Sequence, residues 1–127
     1  MPNLFWFSLF VSLNAIILVA LAANVSVLRL RFKISYGDGD NKTLLRAIRV
    51  HANGMEQVPV FSLVLLALTF AELHSALLAV LVISFTLARV AHIGMLFRLH
   101  AFRRIGASLT YLLQIIAASL LLYLLLS

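Results

Sequence analysis

Three groups of residues have the types and spacing to do chemistry. Arg49, Asn53 and Glu56 stand at i, i+4 and i+7, which places them on one face of a helix. Arg89 and His92 stand at i and i+3 and also share a face. Arg103 and Arg104 form a tandem cationic pair close behind Arg98 and His100. Arginine binds carboxylates through two parallel hydrogen bonds, and Glu56 is suited to an ammonium group. A zwitterionic ligand with several carboxylates would fit this mixture. The same residues also suit a structural clasp, in which Arg49 or Arg89 neutralises Glu56 and Asn53 bonds between helices; Glu56 and Arg89 are the expected pair. The chain has no cysteine. That excludes disulfides, thiolate metal sites and a protein thiol nucleophile, so any sulfur chemistry must use a thiol carried by a substrate. His51, His74 and His100 show no metal-site spacing, and Gly37-Asp38-Gly39 lacks the strand–helix setting of a phosphate cradle. No metal is expected.

The elements that must position these groups are membrane spans. Of 127 residues, 64% are hydrophobic, and mean hydropathy is +1.11. Soluble domains are about 45–50% apolar, and a chain this short cannot hide such an excess from water. Stretches of about 20 apolar residues cross a bilayer, and four are expected: 4–28, 44–71, 76–97 and 106–126. The fold class is therefore an all-α membrane protein, a four-transmembrane-helix bundle in one domain, 1–127. No basic residue precedes the first apolar run, so a retained span is expected there rather than a cleaved leader, although Ala20-Leu21-Ala22 resembles a cleavage site. The second helix is expected to begin behind an N-cap at Thr43, with its first third polar. Pro59 frees the Met55 carbonyl and favours a bend. Arg98–Arg104 reads as a loop.

Charge orients the bundle. Of ten basic residues, nine (Arg29, Arg31, Lys33, Lys42, Arg46, Arg49, Arg98, Arg103 and Arg104) flank the first and third connections. The opposite side, with both termini and the Glu72 turn, has none. The positive-inside rule makes the basic side cytoplasmic. A multi-pass protein of the bacterial inner membrane is expected. The net charge of +6 is thus explained by topology, and no nucleic-acid partner is expected. Trp6, Tyr111 and Tyr123 suit interfacial or buried aromatic positions.

Taken in order along the four spans, these segments resemble the MAPEG family, the membrane-associated proteins in eicosanoid and glutathione metabolism. The most specific stretch is Leu45-Arg46-Ala47-Ile48-Arg49-Val50-His51-Ala52-Asn53-Gly54-Met55-Glu56-Gln57-Val58-Pro59. Further matches are Ala88-Arg89-Val90-Ala91-His92, then Arg104-Ile105-Gly106 with Thr110-Tyr111. Leu28-Arg29-Leu30-Arg31 and Tyr36-Gly37-Asp38-Gly39 resemble the bacterial branch. The resemblance covers about residues 25–122.

The resemblance implies a homotrimer with glutathione as co-substrate, held between subunits near the cytoplasmic face. It assigns binding of glutathione to Arg29, Arg31, Arg49, Asn53, Glu56 and Arg89, with His92 and Tyr111 from the matching motifs. It assigns stabilisation of the thiolate to Arg104, with Arg103 as its substitute. The implied activity is that of a transferase or peroxidase acting on lipophilic electrophiles or hydroperoxides that enter from the membrane lipid. The chain departs from eukaryotic members: Leu96 and Gln57 stand where tyrosines are found, and Ala52 replaces a basic residue of some prostaglandin-synthesising members. These departures argue against a specific eicosanoid synthase. Two other functions compete with the enzyme: a non-catalytic protein that keeps the fold and the polar clasp, and a small multidrug-type transporter. The transporter would need a carboxylate in the first span, which contains only Asn14 and Asn24 as strongly polar groups.

Overall fold

The structure, a computed structural model, describes residues 2–127. It consists of α1 (Pro2–Phe32), α2 (Lys42–Phe70), α3 (Ser75–Ile93) and α4 (His100–Leu126), with a short 3-10 turn, Gly94–Phe97, between α3 and α4. All four helices are long and apolar enough to cross a membrane, with the 3-10 turn extending the third. α1 packs on α2 and α3, and α4 packs on the same two helices, while no α1 Cα lies within 8 Å of an α4 Cα. The order around the bundle is therefore α1, α2, α4, α3.

The centre is aromatic. Phe10, Phe61 and Phe85 are wholly buried, one from each of the first three helices. The Phe61 and Phe85 rings stack at 3.9 Å with planes 10° apart, and Phe10 lies 5.5 Å from each. Lipid tails are as apolar as these side chains, so close packing and polar links between helices hold a bundle in a bilayer. Four links are present, one of them from Arg89 on α3 to Thr110 on α4. Asn14 Nδ2 donates to Thr86 Oγ1 at 3.3 Å, joining α1 to α3. Gln114 Nε2 donates to Gln57 Oε1, joining α4 to α2. Asn3 Nδ2 donates to the Leu73 carbonyl at 2.8 Å, tying α1 to the α2–α3 turn.

Two helix starts differ from the sequence expectation. The N-cap of α2 is Asn41, not Thr43: Asn41 Oδ1 accepts from the Leu44 amide at 3.0 Å. The Asp38–Asn41 backbone turn, 2.9 Å, presents Asn41 to the helix end, and Thr43 instead accepts from Arg46 Nη2 at 3.4 Å. α4 begins at His100, so the expected loop through Arg104 is largely helix. Hydropathy marks where the hydrocarbon begins, and a helix with no Gly or Pro in its first turn can start outside it. The turn before α4 is closed by Arg98 in the left-handed region (φ 60°), with the Leu99 amide donating to the Gly94 carbonyl at 2.9 Å.

Candidate functional site

The antiparallel spans bring the end of α1, the start of α2, the end of α3 and the start of α4 to one face, the one that the positive-inside rule makes cytoplasmic. Depth follows from helix length. At 1.5 Å per residue, the roughly 20 residues needed to cross the hydrocarbon occupy about positions 51–70 of α2. Arg46 and Arg49 then lie at headgroup depth, and Glu56 about 8 Å inside the apolar layer. The same count from Ser75 puts Arg89 about 8 Å inside it.

Arg89 is 4% exposed. Its Nη1 donates to Thr110 Oγ1 on α4 at 3.4 Å, and Thr110 in turn donates to the Gly106 carbonyl at 2.7 Å. The guanidinium also packs by Gly54: a Cβ built there would lie 3.8 Å from Nη2. Glu56 is exposed on the outside of the bundle. The expected Glu56–Arg89 pair therefore does not form within the chain. Helical spacing shows which residues share a face, and here the Arg49–Glu56 face looks outward while Arg89 looks inward.

The remaining expected residues divide clearly. Arg29 is spent on its own loop, donating through Nη1 to the carbonyls of Gly37 at 2.8 Å and Ile34 at 3.3 Å. Arg31, Arg49, Arg104 and Tyr111 are exposed. Asn53 is half-buried, and its Oδ1 is buried without a hydrogen-bond partner. His92 is buried with Nδ1 unpaired. Its backbone packs against Gly106, where a Cβ would lie 2.6 Å from the His92 nitrogen.

One groove gathers several cations. It measures about 420 Å³ and is lined by Lys42, Leu45, Arg46 and Arg49 of α2, Met95 of the 3-10 turn, and His100 and Arg103 of α4. Arg49 and Arg103, far apart in sequence, thus share one groove, and Arg104 lies outside its lining. Sequence reasoning did not count Lys42, Arg46 and His100 as site residues. The signal was available for two of them, because Lys42, Arg46 and Arg49 repeat at i, i+4 and i+7. On the lipid side of the α3–α4 elbow lies an apolar groove of about 450 Å³ that includes Leu87, Val90, Phe97 and Phe102.

Four apolar spans, internal polar links and a cationic face on one side define a multi-pass protein of the bacterial inner membrane, a class the comparisons narrow. The model of the MAPEG family matches residues 7–123, and the chain belongs to that family. It is similar to the inner membrane protein YecN of Escherichia coli K12, with 30% identity over 116 residues, covering 89% of this chain and 88% of the relative. The same protein from Escherichia coli O6:H1 matches equally well.

Proposed function

We propose that this protein is a glutathione-dependent transferase or peroxidase acting on lipophilic electrophiles or hydroperoxides, assembled as a homotrimer. The observation that carries this reading is the outer face of α2. Arg49 and Glu56 are exposed there with no side-chain hydrogen bond among the described residues, and the unpaired Asn53 Oδ1 lies between them along the helix. A carboxylate about 8 Å inside the apolar layer needs a partner. A neighbouring copy and a zwitterionic ligand would together supply one.

Glutathione fits the residues present. Arg49, Arg31 and the Arg103–Arg104 pair can receive its carboxylates, Glu56 its ammonium, and Asn53 an amide N–H. Bound glutathione would contribute its thiol. A free thiol has a pKa of about 8.5 and is mostly protonated at neutral pH; a guanidinium beside it favours the thiolate. Arg104 is the first candidate for that role because it is exposed and its side chain makes no hydrogen bond among the described residues, with Arg103 one position away in the cationic groove. No protein base is required. The apolar groove at the elbow offers a lipophilic substrate a path from the bilayer.

The non-catalytic alternative is favoured by the polar links Arg89–Thr110 and Gln57–Gln114, which serve structure without any ligand. The test is calorimetric titration of glutathione into the detergent-purified protein, with thiolate absorbance followed in parallel. Saturable binding that weakens at least tenfold in Glu56→Gln, with thiolate formation lost in Arg104→Ala or Arg103→Ala, is the expected result. Absence of binding at millimolar glutathione overturns the enzyme reading in favour of the structural one.

A further inference from the structure

We propose that the cationic groove between the start of α2 and the α3–α4 elbow binds the phosphate headgroup of an anionic phospholipid of the cytoplasmic leaflet. The groove shares Arg49 and Arg103 with the glutathione reading, but the proposal does not rest on that reading, since the residues that decide it, Lys42 and Arg46, take no part there.

Four observations converge. First, the cations come from separate elements: Lys42, Arg46 and Arg49 from α2, and His100 and Arg103 from α4. No carboxylate lines the groove, so like charges are held together without an internal counter-ion. That arrangement is unfavourable until an anion enters. Second, Arg46 is half-buried, and its Nε is buried without an acceptor. Its one side-chain hydrogen bond is a long one from Nη2 to Thr43 Oγ1, 3.4 Å. A buried guanidinium N–H with no acceptor is costly, and a phosphate oxygen in the groove would satisfy it. Third, the depth is right. Arg46 and Arg49 stand roughly 3–8 Å beyond the hydrocarbon edge counted along α2, and Arg103 and His100 roughly 6–10 Å beyond it counted along α4. Lipid phosphates occupy the nearer part of this layer, and Lys42, about 14 Å beyond the edge, reaches back toward it along its flexible stem. Fourth, the groove is amphipathic. Leu45 and Met95 form its apolar wall, which matches the glycerol and first acyl carbons that a lipid carries and a free anion lacks.

The experiment is native mass spectrometry of the full chain released from nanodiscs containing equal amounts of phosphatidylglycerol and phosphatidylcholine. It is run with the unaltered protein and with the double variant Lys42→Gln/Arg46→Gln. Each basic side chain near an anionic surface contributes enough that removing two is expected to weaken retention of phosphatidylglycerol about 30-fold. Preferential retention of phosphatidylglycerol that falls in the double variant, with glutathione binding not weakened, is the supporting outcome. Equal retention of both lipids by the unaltered protein overturns the proposal without reference to any variant. Displacement of the retained lipid by millimolar inorganic phosphate also overturns it, and makes the groove a site for soluble anions. Glu56→Gln separates the two proposals, because it is expected to impair glutathione binding and leave lipid retention unchanged.

Discussion

Arg89 is the residue whose environment says most about the chain. Its charge lies about 8 Å inside the hydrocarbon layer, and its hydrogen bond goes to a neutral hydroxyl, that of Thr110. Breaking a buried ion pair typically costs 3–5 kcal/mol, whereas replacing an unpaired buried charge by an apolar side chain of similar length is often neutral or stabilising. The geometry therefore predicts that Arg89→Met leaves the melting temperature unchanged or raises it, and that Thr110→Val lowers the stability slightly, by roughly 0.6 kcal/mol. Thermal unfolding in detergent, followed by the fluorescence of the single tryptophan, Trp6, checks both. A loss of several kcal/mol in Arg89→Met would restore Glu56 as its partner. The grouping of the candidate residues was legible at this scale, since Arg49 and Glu56 do share a face. Their direction was not, because i, i+4 spacing carries no information about which face the bundle buries.

At the scale of the element, the α3–α4 contact decides where Arg103 and Thr110 lie. Its closest point is Gly106. A Cβ there would lie 2.5 Å from the Ala88 carbonyl oxygen and 2.6 Å from the His92 backbone nitrogen. Both atoms belong to helix backbone that cannot yield locally, so the helices must part. Gly106→Ala is expected to cost about 1–3 kcal/mol, the range for overpacking, and to weaken any binding that needs Arg103. Gly54→Ala is the internal comparison. Its Cβ would meet the flexible end of Leu18, at 2.7 Å, so a smaller loss is expected. Equal melting temperatures for the two variants would contradict this account. The four spans were legible because each is a long apolar run. The start of α4 was not, because Arg103 and Arg104 leave the hydrocarbon without leaving the helix. The cap of α2 was misplaced by two residues because a loop turn, invisible to spacing, brings Asn41 to the helix end.

For the whole molecule, charge and apolar surface together set the orientation and leave much of the outer face to other partners. In the most apolar window of α1 and of α4, only 17% is buried within the chain, so most of both faces lipid or another copy. Both ends of the bundle can be tested directly because the chain contains no cysteine, which makes any introduced thiol unique. Tyr36, 92% exposed in the α1–α2 loop, lies on the side that the positive-inside rule makes cytoplasmic. Ala71, exposed at the end of α2, lies on the other. In intact cells with a permeabilised outer membrane, a membrane-impermeant maleimide is expected to label Ala71→Cys at once and Tyr36→Cys only after lysis. Labelling of Tyr36→Cys in intact cells would invert the bundle. The cationic groove and the exposed Arg49–Glu56 face would then meet periplasmic ligands, and cytoplasmic glutathione and inner-leaflet lipid would both be excluded as their occupants. The expected pattern keeps them within reach of both.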